Sequence, residues 1–380
     1  MEVKIKGQKE LHQEVRDAGL CTGCGACVNL CPYQAAYQDE VITLHSCDLK
    51  EGGCHAFCPR TPADLDAMKK LLFNPKDLTP ELGAVRNFSI TRAADPKVRG
   101  GAQHGGTVTA LMSLALKEGL IDTAVVAEGS ASLLPQGAAV RDGAGIEKRG
   151  KSSFVVSPGL AEFNRLAKDG GKKIGVVATP CQALALAKMR MKPIPAYAER
   201  IDQLKLVVGL FCGWALSWRN LTALLKTKLD LAEIEGMDIP PSKYHILQVY
   251  TKKRSLDISL DEINPCVREA CWNCPDLTAE FSDISVGSAR LEEGWEEARK
   301  WNQVIVRTTA GERLIQLAKD RKVLEFREVP KGNLAKLKTV SMGKKETAVK
   351  NLSLKSGDPE NLLYLDARDP VLSALIHRPA

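Results

Sequence analysis

Twelve cysteines in a chain of 380 residues carry the most legible chemistry in this sequence. Cys21, Cys24, Cys27 and Cys31, with Pro32 behind them, fit the run C-x2-C-x2-C-x3-C-P. Three closely spaced thiolates wrap one face of an iron–sulfur cubane, and the fourth cysteine leaves towards a second cluster. Gly23 and Gly25 let the loop coil tightly, so that backbone N–H groups face the sulfurs. A zinc site rarely needs four cysteines at this spacing followed by proline. The chemistry expected of such residues is one-electron transfer.

The next cysteines form an irregular half of the same motif. Cys47, Cys54 and Cys58, with Pro59 following, keep the C-x3-C-P ending, but only one cysteine precedes it. In two-cluster ferredoxins ligation is crosswise. That rule assigns Cys21, Cys24, Cys27 and Cys58 to one cluster, and Cys31, Cys47 and Cys54 to another that is one ligand short. His45, His55 or a cysteine from elsewhere could complete it, or it could be a three-iron cluster. The plain reading of either histidine is a surface or packing residue.

The remaining five cysteines lie beyond a long gap. Cys181 and Cys212 each follow an apolar, strand-like run, and Cys271 and Cys274 form a C-x2-C pair preceded by Cys266. Strand ends of an open α/β sheet converge on one edge, where ligands bind. Taken singly, each of these would pass for a buried core cysteine. Taken together they outline a third cluster site.

The elements that must position these residues follow from pattern. Residues 1–60 read as a small cluster module, 61–85 as a linker with a short helix between proline-marked turns, and 86–380 as a larger domain. In that domain 106–118, 160–168, 183–191, 218–228 and 311–320 read as helices. Residues 121–128, 172–180, 204–212 and 301–308 read as strands. This alternation argues for a largely parallel, covered sheet. Residues 245–253 and 255–260 resemble an antiparallel pair. The Lys-rich segment 331–355 reads as a solvated C-terminal helix, with a membrane-surface helix as the weaker alternative.

Composition narrows the function classes. The net charge of +7 is spread among acidic residues and aromatics are 5% of the chain. Both argue against a zinc-bearing nucleic-acid module with stacking aromatics. The opening residues are too polar for a signal peptide, and no apolar run reaches a membrane span. The expected location is the cytoplasm, or the periphery of a membrane complex. In a reducing compartment cysteines bind metal rather than pair as disulfides.

Several segments resemble the beta subunit of coenzyme F420-reducing hydrogenase and dehydrogenase. They are HGGTVTALMSLALKEGLIDTAVVA, GKSSFVVSPG, VVATPCQALALAKM, LVVGLFC, the CxxCxD of residues 271–276, TAEFSDISVGS and WNQVIVRTTAG. The likeness runs from about residue 89 to the C-terminus. It implies an N-terminal ferredoxin-like Fe–S domain of α+β type, followed by a mixed-sheet α/β domain that binds FAD and one [4Fe–4S] cluster. The implied ligands of that cluster are Cys181, Cys212, Cys271 and Cys274. Cys266 falls outside the family pattern; it could replace one of these, complete the short second cluster, or stand by. The implied flavin residues are Gln103, His104, Gly105, Gly106, Thr107, Lys151, Ser152, Ser153, Thr179, Gln182, Gly287 and Ser288. The family commonly carries an acid where His104 stands, and no G-x-G-x-x-G appears in a Rossmann context.

The resemblance implies two or three [4Fe–4S] clusters and an oxidoreductase subunit without a general acid or base of its own. Its carrier would be coenzyme F420 or NAD(P)H. Its partner would be a dehydrogenase, hydrogenase or heterodisulfide-reductase-like redox subunit. The rival within the same chemistry is a stand-alone reductase of an organic substrate that draws electrons from free ferredoxin.

Overall fold

The protein is described by a computed structural model covering residues 4–377 apart from residue 131. Its centre is a sheet built from β1 (Asn87–Ala93), β2 (Thr123–Glu128), β3 (Gln136–Val140), β4 (Ile174–Ala178), β5 (Leu204–Leu210), β6 (Ile284–Ser288), β7 (Asn302–Val306) and β8 (Leu324–Arg327). The spatial order is β8-β1-β7-β6-β5-β4-β2-β3. The strands β6, β5, β4 and β2 are parallel. The flanking pairings are antiparallel. The sheet is therefore mixed rather than largely parallel. The strands β1, β3 and β8, which add most of the antiparallel pairing, have little apolar alternation to announce them.

Side-chain alternation covers both faces. Val125, Ile174, Val176 and Val207 face the helices α2 (Gly159–Ala167) and α3 (Pro180–Arg190). Ala124, Val126, Val208 and Ile284 face α1 (Thr107–Lys117) and α4 (Thr309–Asp320). Strands buried on both faces read as continuous apolar runs, as the central four do.

Helix α3 begins three residues earlier than its run of helix formers predicts. Thr179 and Gln182 form a capping box and Pro180 takes the first helical position. Cys181 thus sits in the first turn of a helix, directly beyond the C-terminal end of β4. Cys212 lies just beyond β5, the neighbouring strand. The expected convergence of strand ends holds.

Between β5 and β6 an insertion forms a small antiparallel sheet of Ile234–Asp238, Ile246–Thr251 and Ser255–Ser259. The last two strands are the expected pair. At the N-terminus, a helical segment from Gln8 to Arg16 precedes the cysteine loop. A hairpin of Gln34–Tyr37 and Glu40–Thr43 follows it. The expected linker is not a free tether: it carries the helix Leu65–Leu72, and Met68 and Phe73 join the core beneath α2 and α3.

The reading of the C-terminal segment as a solvated helix is also corrected. Helix α5 (Asn333–Ser356) buries Leu337, Ser341, Lys345, Ala348, Val349 and Leu352. Val349 and Leu352 pack with Leu11, Val15 and Leu20 of the N-terminal region. Its lysines hide an inward face because two of them reach buried partners, described below. Among the described residues no helix is long and apolar enough to cross a membrane.

Candidate functional site

All twelve cysteines are unpaired. Eleven of them fall into three groups. The first comprises Cys21, Cys24, Cys27 and Cys58. Burial pushes the Cys27 thiol well up, and Cys21, Cys24 and Cys58 are among the neighbours that add to the push. Burial raises Cys24 as well, aided by Cys181 and Cys58. Cys58 is pushed up to about 11 by burial, against the pull of Lys188 and Arg60. The loop that carries these thiols needs its glycines: Gly25 has φ +84°, and a side chain there would meet Pro158 and Ala161 at 2.7 Å.

The second group is Cys31, Cys47 and Cys54. Cys54 is pushed up to about 11 by burial, with Cys31 and Cys47 adding to it. Neither histidine offers an obvious fourth donor. His55 is buried, its Nδ1 accepting from the Lys6 N–H at 3.3 Å and its Nε2 lying 3.3 Å from Glu14 Oε2. His45 is exposed, its ring edge-on to Tyr33.

The third group is Cys181, Cys212, Cys271 and Cys274. Burial raises Cys212, Lys344 opposes this, and Cys271, Cys181 and Cys274 add to it. Burial also raises Cys271, whose sulfur accepts the Ala215 N–H at 3.3 Å. Burial works against ionisation of Cys274, yet Arg60 and Lys344 together hold its thiol below the usual range. The Cys181 sulfur lies 3.2 Å from Thr179 Oγ1. Lys344 Nζ donates to the Cys212 carbonyl at 2.6 Å, and buried Arg60 donates to Tyr364 Oη and the Ala270 carbonyl.

Cys266 stays apart. It is buried among Val155, Leu216, Leu247 and Ile263 in the core of the insertion, and burial alone raises its thiol. It behaves as a small apolar residue there. The expectation that it could serve as a ligand is corrected by its position.

Among the described residues no three of His, Cys, Asp or Glu converge on a point that would suit a single metal ion. The fit to a larger anionic group rests on the donors present. The first and third sets each offer four soft thiols that crowd one another in buried surroundings, with cations and backbone N–H groups directed at them. A crowded thiol gives up its proton when iron takes its place. The two sets adjoin, since Cys24 and Cys181 feel one another's charge and Arg60 borders both Cys58 and Cys274.

The flavin candidates divide. Gln103, His104, Gly105, Gly106, Thr107, Ser152, Gly287 and Ser288 share one neighbourhood at the start of α1 and the end of β6. Its hub is Asn302, which sequence reasoning missed: Oδ1 accepts from the Thr107 N–H at 3.2 Å and Nδ2 donates to the Gly287 carbonyl at 3.3 Å. Gln103 accepts from the Ser152 N–H and donates to the Met237 carbonyl. His104 lies 3.3 Å from buried Asp238, with Trp295 edge-on at 5.3 Å. His104 and Asp238 thus put a carboxylate beside the place where the family commonly has one. Burial raises the Asp238 carboxyl, but the His104 contact brings it below its ordinary value. The Phe211 ring packs against Gly287 and leads straight to Cys212.

The other candidates have local partners. Thr179 and Gln182 cap α3, and Gln182 Nε2 donates to the Ser157 carbonyl at 2.9 Å. They therefore belong to the Cys181 end of the site rather than to the Asn302 neighbourhood. Ser153 Oγ donates to the Val155 carbonyl at 3.2 Å, and Lys151 is exposed.

Buried polar contacts dock the N-terminal module on the domain. Arg268 donates to Asp39 and to the Cys21 carbonyl. Lys188 donates to the carbonyls of Cys58 and Thr61, and Asn164 to those of Ala26 and Val28. Only Arg60 and Arg268 had a signal in sequence, their closeness to cysteines. Lys188, Lys344 and Asn302 had none.

Comparison with known proteins agrees with this arrangement. Residues 171–332 match the family model for the C terminus of the coenzyme F420 hydrogenase/dehydrogenase beta subunit. Residues 89–163 match the model for the N-terminal part of the same beta subunit, and residues 14–37 a 4Fe-4S binding domain. The chain belongs to the coenzyme F420 hydrogenase/dehydrogenase beta subunit family. It is 29% identical over 278 residues to the coenzyme F420 hydrogenase subunit beta of Methanothermobacter thermautotrophicus, covering 72% of this chain and 95% of that one. It is 26% identical to the F-type subunit of the F(420)H(2) dehydrogenase of Methanosarcina mazei, covering 88% and 92%. A coenzyme F420-dependent sulfite reductase of Methanocaldococcus jannaschii is 27% identical, and this chain spans 50% of its length. Among solved structures, a chain of the F420-reducing [NiFe] hydrogenase complex from Methanosarcina barkeri superposes with TM-score 0.66 and 25% identity. That match covers 73% of this chain and 94% of the other. The beta subunit models begin at residue 89, so the cluster module precedes the part they describe.

Proposed function

We propose that this member of the F420 hydrogenase/dehydrogenase beta subunit family passes electrons between a hydride carrier, coenzyme F420 or NAD(P)H, and a partner redox subunit, using FAD and iron–sulfur clusters. The observation that carries this reading is the unbroken succession of sites. The Asn302 neighbourhood touches the Cys212 group through Phe211, that group meets the Cys24 group at Cys181, and Cys27 has Cys54 among its neighbours.

Bound FAD would take a hydride pair and release single electrons, and the clusters would conduct them. The protein's own residues supply position and charge. The N-terminus of α1, held to β6 by Asn302, presents N–H groups suited to an anionic cofactor. The charges of Arg60 and Lys344 at Cys274 favour the added negative charge of a reduced site. Burial of Arg60, Tyr364 and Cys274 keeps water from between the sites. The docking contacts of Arg268, Lys188 and Asn164 hold the cluster module in one register on the domain.

Anaerobic isolation with iron, sulfide and flavin analysis tests this reading, followed by mixing with reduced F420 and with NAD(P)H. About one FAD per chain, bleached by one of these carriers, is the expected result. Iron-loaded protein without flavin would sink it. Isolation with no partner subunit, together with turnover of an organic substrate, would replace it with a stand-alone reductase.

A further inference from the structure

The second group of thiols poses a question that the family does not answer. The matched 4Fe-4S model ends at residue 37, before Cys47 and Cys54. Cys54 has two thiols, Cys31 and Cys47, among the charges that shift it. His55 has both ring nitrogens engaged, and Cys266 lies in another core.

Spacing identifies a candidate for the missing corner. Counting back from Cys58 along C-x2-C-x2-C-x3-C-P, the third cysteine is Cys54 and the second falls on residue 51. That residue is Glu51. Its carboxylate is exposed, and no hydrogen bond or ion pair engages it among the described residues. It sits in the loop between Cys47 and Cys54, beside Gly52, where even a Cβ would reach to 3.2 Å from the Cys54 sulfur. A carboxylate oxygen is a hard donor, so iron held by it is held less firmly than by thiolate.

We propose that Cys31, Cys47 and Cys54 hold a cluster with one iron that no thiolate anchors, and that Glu51 is the oxygen ligand closing that corner. This rests on the reading of the chain as an iron–sulfur protein. The corner iron is removable. When ferricyanide takes one electron from the core, that iron departs as Fe2+, the Glu51 carboxylate is freed, and a three-iron, four-sulfide core carrying one positive charge stays on the three cysteines. Added Fe2+ and one electron from dithionite reverse the change. The first group, with four thiolates, keeps its iron under the same treatment.

The experiment is EPR with iron counting on the full-length anaerobic protein, before and after ferricyanide. Wild type is expected to lose about one iron per chain and to gain the narrow, near-isotropic signal of an oxidised three-iron cluster. E51C, which restores the cysteine at the regular spacing, is expected to keep its iron and show no such signal. E51Q is expected to show the signal already at isolation. Tyr197, a phenol near Cys31 and Cys54, is the competing donor. If Y197F rather than E51Q releases the iron, or if wild type resists ferricyanide, the assignment of Glu51 is overturned. Protein without iron in the Cys21 group would instead refute the parent reading, which C24S reports separately through the four-iron signal.

Discussion

The two four-thiol sites, one in the N-terminal module and one in the α/β domain, reach similar donor sets by opposite routes. In the first, three thiols lie within seven residues of chain, and a left-handed glycine loop turns them inward. In the second, the thiols come from the start of α3, the end of β5 and a loop before β6. The electrostatics differ as well. Burial raises Cys24, Cys27 and Cys58, whereas Arg60 and Lys344 overcome burial at Cys274. A site written locally can rely on its loop. A site assembled across the sheet depends on cations delivered from remote segments, here Arg60 of the module and Lys344 of α5.

The strongest challenge to this comparison is Cys212→Ser. It should remove the cluster of the α/β site, about four irons per chain, while the module keeps its own. Electron transfer from the hydride carrier to an artificial acceptor should fall by at least ~100-fold. Parallel loss of all iron would show that the two sites do not assemble independently.

Next in size is Arg60→Met. It strips the donor from buried Tyr364 Oη and the Ala270 carbonyl, a loss of about 2–3 kcal/mol by thermal or urea unfolding. It should also raise the proton affinity of Cys274. An unchanged midpoint would mean that Arg60 is not the strut between the sites.

A third test concerns the buried pair that anchors α5. Burial alone would raise the Glu280 carboxyl, but Lys345 and Lys69 bring it down to about 2. A carboxylate depressed in the folded state contributes stability that is complete above its unfolded value near 4.5, and that stability fades as pH falls towards 2. Acid unfolding should therefore steepen in that window. Lys345→Met should shift the transition to higher pH and cost roughly 2–3 kcal/mol at neutral pH. Urea melts across the pH range would decide it.

The smallest expected effect is that of Cys266→Ala. Removing a buried sulfur from the insertion core should cost about 1 kcal/mol and leave iron content and EPR signals unchanged. Loss of iron would return Cys266 to the set of ligands.

Much of this architecture was legible in residue order. The cysteine run, the alternation of strands and helices, the boundaries of α1 and α4 and the placing of Cys181 and Cys212 at strand ends all follow from short-range spacing. The flanking strands β1, β3 and β8 did not, because edge and antiparallel strands lack the long apolar runs of the buried centre. The inward face of α5 was hidden because lysines read as solvent-facing until their partners are known.

Residue order by itself determined which thiols could share a cluster in the module, since loop geometry there is set within a few residues and does not await the rest of the chain. It also marked the irregular spacing around Glu51. The tertiary structure alone decided that Cys266 stands aside, that Asn302 ties α1 to β6, and that Arg60, Lys188 and Lys344 attend the thiols. Those contacts span up to about three hundred residues of chain, and a charge acts through the distance and dielectric between groups, quantities that exist only once the sheet has closed around them.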